Sequence, residues 1–92
     1  MKLMEGVIVV PNGKDHVLVT AGKAQEVFSG MIVLNDSARR IVEALQVETT
    51  EQELVAMVLN TFDITEDVAR GAVSRVVGQL TKLGLIIQEE QL

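Results

Sequence analysis

Few side chains in this 92-residue chain could carry chemistry. Cysteine, tryptophan and tyrosine are absent, and His16 is the single histidine. Without Cys there is no thiolate nucleophile, thiolate metal site or disulfide frame. One imidazole falls short of the two or three that most zinc sites use. Paired carboxylates could act as general acid and base, and Glu51 with Glu53, or Glu66 with Asp67, are the candidates. Each pair falls in the first turn of a predicted helix, where acids favour the positive end of the helix dipole and stay solvated. Ser29, Ser37 and Ser74 have no histidine in triad reach, since His16 lies at a turn before a strand. Gly6, Gly13, Gly22 and Gly30 lack the spacing of a phosphate loop. The inventory yields no catalytic residue, no metal ligand and no cofactor site, so an enzyme is not expected.

Composition and charge narrow the field further. Hydrophobic residues make up 48% of the chain and aromatics only 2%, so branched aliphatics must build the core of one small domain. The net charge is −5, and it is unevenly placed. Residues 1–46 hold five basic and five acidic side chains, whereas residues 47–92 hold three basic and eight acidic ones. Binding to nucleic acid rests on Lys and Arg neutralising phosphates, and anionic membrane surfaces obey the same sign rule. Neither partner suits the acidic half. No apolar run approaches a membrane span, and Glu5 and Gly6 interrupt any signal-peptide core at the start. The expected location is the cytoplasm.

The elements that must position any site follow from a single change of period near Asn35. Gly6–Val10 reads as a strand ended by Pro11-Asn12-Gly13, His16–Thr20 as a second, and Glu26–Leu34 as a third with a softer point at Ser29-Gly30. After Asn35 the apolar spacing is helical: Ala38, Ile41, Val42 and Leu45 share one face. Thr50-Glu51-Gln52-Glu53 is a capping box that opens a second helix. A third runs from Thr65 to Gly84 with Ala69, Ala72, Val73, Val76, Leu80 and Leu83 as its core stripe. Leu85-Ile86-Ile87 pairs as a last strand or packs extended, and the acidic tail Gln88–Leu92 is expected to fray. The fold class is α+β: a three-stranded antiparallel sheet, then a three-helix winged-helix-like unit and a short final strand.

Two segments stand out. The third strand is apolar on both sides, with Phe28, Ile32 and Leu34 on one face and Val27, Met31 and Val33 on the other. A solvated edge strand usually carries charge, yet Val27 to Leu34 has none. Such a strand is either covered, by neighbours or in a homodimer, or it accepts a peptide as an added strand. The third helix is unusual opposite its core stripe, where Gly71, Ser74 and Gly78 cluster while Arg70 and Val77 share a flank. Each internal Gly costs about 1 kcal/mol relative to Ala. This flank and the third strand could together form a cleft.

Gly30-Met31-Ile32-Val33-Leu34-Asn35, then Ser37-Ala38 and Ile41, then Thr50-Glu51-Gln52-Glu53-Leu54, and a helix closing on Leu80-Leu83-Gly84-Leu85-Ile86 resemble the PqqD-like family. The resemblance covers about residues 5–87 of a domain spanning 1–92. It implies a winged-helix RiPP recognition element, which binds the leader of a ribosomally made precursor peptide and presents it to a maturation enzyme, often a radical SAM enzyme. It implies that the leader adds beside the third strand, at Ser29, Gly30, Met31, Ile32 and Val33, against a helix flank of Arg70, Val73 and Val77. Where the pyrroloquinoline quinone pathway member carries Cys-Asp-Gly, this chain reads Gln46-Val47-Glu48-Thr49. The resemblance therefore implies service to some other peptide. The alternatives are a winged-helix DNA-binding domain, for which the third helix is barely basic, and a purely structural homodimer.

Overall fold

A computed structural model describes residues 1–88. The fraying expected of the acidic tail falls mostly on residues 89–92, outside the described residues. In chain order the elements are β1 (Lys2–Leu3), β2 (Val7–Asn12), β3 (Asp15–Thr20), α1 (Lys23–Val27), β4 (Met31–Leu34), α2 (Asp36–Ala44), α3 (Glu51–Thr61), α4 (Glu66–Lys82) and β5 (Ile86–Ile87). Strands β2, β3 and β4 form an antiparallel sheet in that order, so the α+β reading holds and β4 lies at an edge.

The β2–β3 hairpin is closed by Gly13-Lys14 between the partners Asn12 and Asp15. Gly13 takes φ 65°, the positive value a two-residue hairpin turn needs at its first central position. Each helix start is fixed by its side-chain cap. Asn35 Oδ1 accepts from Ala38 N–H at 2.8 Å, Thr50 Oγ1 from Glu53 N–H at 3.1 Å, and Thr65 Oγ1 from Val68 N–H at 3.4 Å. Helix α4 stops where Gly84 turns to φ 79°, which lets Leu85 N–H return to the Leu80 carbonyl at 3.0 Å.

The inner face of the sheet (Val7, Leu18 and Leu34) meets Ile41, Val42 and Leu45 of α2, Leu54 and Val58 of α3 and Val73 and Leu80 of α4 in one core. Burying such aliphatic side chains contributes about 1.5–3 kcal/mol each.

Two elements differ from the sequence reading. The expected third strand over Glu26–Leu34 is shorter, because Lys23–Val27 forms a helical turn. Ala24 is fully buried there, and Phe28 N–H closes the turn on the Ala24 carbonyl at 2.9 Å. Ser29-Gly30 then leads into the strand proper. The second difference is β1, which pairs antiparallel with β5. Leu3 N–H reaches the Leu45 carbonyl at 2.8 Å and Met4 N–H the Leu85 carbonyl at 3.0 Å, so this ribbon ties the chain's start to the ends of α2 and α4.

Candidate functional site

Which main-chain groups β4 leaves free follows from the ladder. Ala21 N–H bonds to the Gly6 carbonyl at 2.8 Å, and the two-residue turn makes Asn12–Asp15 a bonded pair. Bonded pairs in an antiparallel ladder alternate. So Ile8–Val19 and Val10–Val17 exchange bonds between β2 and β3, and His16–Leu34 and Leu18–Ile32 exchange them between β3 and β4. Met31 and Val33 must then direct N–H and C=O outward from the edge. Their side chains are 62% and 65% exposed. No charged residue interrupts Val27 to Leu34. Thr20 Oγ1 donates to the Phe28 carbonyl at 2.6 Å, which holds the entry to the strand against the end of β3.

Helix α4 runs alongside β4 in the opposite sense without joining the sheet. At its start, Val68 and Ala72 share a cavity of about 330 Å³ with Asn35, Asp36, Ser37, Phe62 and Ile64, just past the end of β4. At its finish, a Cβ built on Gly84 would stand 3.0 Å from Val27 Cγ1, just before β4. The flank turned to β4 therefore carries Val68 and Ala72 and, one and three turns on, Val76 and Leu83. Ala72, Val76 and Leu83 are half-buried and Val68 is 55% exposed. Facing them, Phe28 and Ile32 are half-buried. The result is an aliphatic cleft with an unpaired strand edge along one wall.

The residues expected from the sequence divide between two places. Ser29, Gly30, Met31, Ile32 and Val33 lie together at this edge. Arg70, Val73 and Val77 are not brought to it. Val73 is fully buried in the core. Val77 is 9% exposed and borders a cavity beside Met1, Thr49 and Glu51. Arg70 pairs with Glu66 at 2.8 Å one turn away, and with Ser74 it lines a groove of about 500 Å³ against Thr50, Glu51, Gln52 and Val55 of the α3 start. The reason is rotational. The core stripe of α4 is centred on Ala69, Val73 and Leu80, which puts Arg70 and Val77 toward α3 and Ala72 and Val76 toward β4. The sequence reading had placed Ala72, Val76 and Leu83 in the core. Gly71 and Gly78 face open space, since a Cβ on either meets nothing within 4 Å.

Among the described residues no three His, Cys, Asp or Glu side chains are grouped to hold a metal, and no helix is long and apolar enough to cross a membrane. A further cavity of about 880 Å³ lies by β1 and α1, where Lys2, Glu5 and Lys23 stand round Gly6 and Gly22.

An α+β domain with one open, charge-free sheet edge beside an aliphatic helix flank is thus the class that fold and site define. The chain belongs to the PqqD family, described as coenzyme PQQ synthesis protein D, whose family model matches residues 5–86. Among curated proteins none matches. Two solved structures share the fold. TbiB1 in complex with the TbiA(beta) leader peptide has a TM-score of 0.73 at 14% identity, covering 99% of this chain and 100% of that one. Lasso peptide synthetase B1 complexed with the leader peptide has 0.69 at 17% identity, covering 95% and 96%.

Proposed function

We propose that this protein is a non-catalytic adaptor that captures the leader segment of a ribosomally made precursor peptide as an added strand on β4. It then presents the precursor to a maturation enzyme. The observation that carries this reading is the pair of outward main-chain positions at Met31 and Val33, unblocked by charge or proline and facing the aliphatic flank of α4. Main-chain bonds along such an edge give affinity, and pockets for alternate side chains give specificity. Two proteins of the same fold are complexed with leader peptides, which supports the same ligand class here.

The working cleft in this reading is Phe28, Ile32, Val68, Ala72 and Val76, with Ser29 to Val33 supplying the edge. Asp36, which borders the cavity at the end of β4, favours a leader with apolar anchors and some basic residues. The maturation enzyme is of the radical SAM class by family resemblance, and the adaptor works in the cytoplasm, where the precursor is made.

The test is co-expression of the tagged protein with the short peptides and enzymes encoded beside it, followed by mass identification of what co-purifies. A retained short peptide is then titrated calorimetrically. Retention of a peptide by the wild-type protein and its loss from Val33→Pro is the expected result. No retained peptide, or unchanged binding by Val33→Pro, overturns strand addition on β4.

A further inference from the structure

Among the described residues, no side chain on the other face of the same sheet belongs to the core or packs against it. Cross-strand partners share a face, and the pairing groups Ile8–Val19–Met31 in one row and Val10–Val17–Val33 in the next. All six are aliphatic, and the first charge on that face comes one row further on, at Asn12–Asp15 beside the hairpin turn. Val17, in the middle of the second row, is only 3% exposed, yet it belongs to no part of the main core. Its cross-strand partners on that face are Val10 and Val33. Ile8, Met31 and Val33 around it are 43%, 62% and 65% exposed. A protein surface usually breaks up such a patch with polar residues.

We propose that this face is a self-association surface, on which a second copy of the chain docks sheet to sheet. Three observations favour that occupant. The patch is uncharged throughout, so it complements itself, as a two-fold contact requires. Residues 1–46, which contain the whole sheet, carry balanced charge, whereas the excess of −5 lies entirely in residues 47–92. Face-to-face packing sets two neutral sheets about 10 Å apart at the centre and keeps the two acidic helical layers on the outside. The area fits a reversible dimer as well. A stable interface buries about 800 Å² per partner, and five of the six side chains are exposed or partly exposed, which suits a small, reversible contact.

The dimer does not compete with strand addition. Hydrogen-bonding groups of an edge strand lie in the plane of the sheet, whereas side chains stand perpendicular to it. The outward N–H and C=O of Met31 and Val33 therefore stay free when the face is covered.

Sedimentation velocity on the 92-residue chain, from about 1 µM to about 1 mM, tests the proposal. The weight-average mass should rise from that of one chain towards that of two. Ile8→Lys should weaken self-association by about a hundredfold and leave binding of a retained peptide intact. Val19→Thr, which keeps the β-branched shape, should weaken it by about tenfold and serves if Ile8→Lys fails to fold by circular dichroism. A saturating amount of the retained peptide should leave the dimer intact. A wild-type chain that stays monomeric at the highest concentration overturns the proposal and leaves the face to another protein. Dimerisation by Ile8→Lys or Val19→Thr as strong as wild type also overturns it. So does dissociation of the dimer by that peptide, which would mean edge-to-edge pairing of β4.

Discussion

Along β2 the outward main-chain groups belong to Val7, Val9 and Pro11; along β4 they belong to Met31 and Val33. Both strands bound the same sheet, and each pairs only with β3. Their finishing differs. Pro11 has no N–H to offer, and it sits at a position where the ladder needs none. The Val7 carbonyl is met by the Gln46 side-chain amide at 3.3 Å. Of the three outward positions on β2, only Val9 keeps both groups free of such a device. On β4 neither proline, charge nor side-chain bond intervenes. Edge strands invite pairing, and proteins usually blunt them. In the proposed function, the open edge is kept for an added strand, and the cleft beside α4 receives that strand's side chains.

The largest effect separates the two sides of β4 itself. Ile32 exchanges main-chain bonds with Leu18 inside the ladder, whereas Val33 points its groups outward. Ile32→Pro should therefore break the sheet and cost about 3 kcal/mol or more, seen as a collapsed thermal transition. Val33→Pro should melt close to wild type yet lose peptide binding by about a hundredfold or more in calorimetry. Equal destabilisation by both variants would mean that the ladder parity is reversed.

A smaller effect separates the two flanks of α4. Val68 stands on the β4 side and is 55% exposed, in the first turn, where an acid suits the helix dipole. Val68→Asp should keep the fold and weaken peptide binding by about tenfold. Arg70, on the α3 side, makes only an exposed pair with Glu66. Arg70→Ala should leave affinity within about twofold and lower stability by no more than about 0.5 kcal/mol. A larger loss of affinity from Arg70→Ala than from Val68→Asp would move the cleft to the other flank.

That contrast also shows where sequence reasoning stopped. Caps, turns and periodicity are local, so Asn35, Thr50, Thr65, Gly13 and Gly84 could be read in place, and the charge-free third strand stood out without any structure. The angle at which α4 lies in the molecule is not local. Ala72, Val76 and Leu83 are apolar like Val73 and Leu80, and composition alone cannot tell half-buried cleft from full core. Only the packing of α2 and α3 against α4 decides which side of the stripe stays open. Helix α1 was lost for another reason. Five residues give a helical period almost no length to show itself, and the β-branched Val27 beside Phe28 read equally well as strand. The β1–β5 ribbon joins opposite ends of the chain, and two-residue strands carry no alternation to detect.

The smallest effect tests the closed edge. Pro11→Val puts an N–H back on β2 where the ladder directs it outward. The unfolded chain gains freedom when proline is removed, so stability should fall by about 0.4–1 kcal/mol, a drop of roughly 2–8 °C in melting temperature for a domain of this size. The more telling readout is light scattering during the melt. With the proline gone, the edge offers a third outward N–H in line with those of Val7 and Val9, which makes it a template for pairing. Aggregation should therefore begin at a lower fraction unfolded than in wild type. If the variant scatters no earlier than wild type, proline is not what closes β2. The difference between the two edges would then rest on the Gln46 contact at Val7 and on the lack of any opposing wall, which on β4 only α4 supplies.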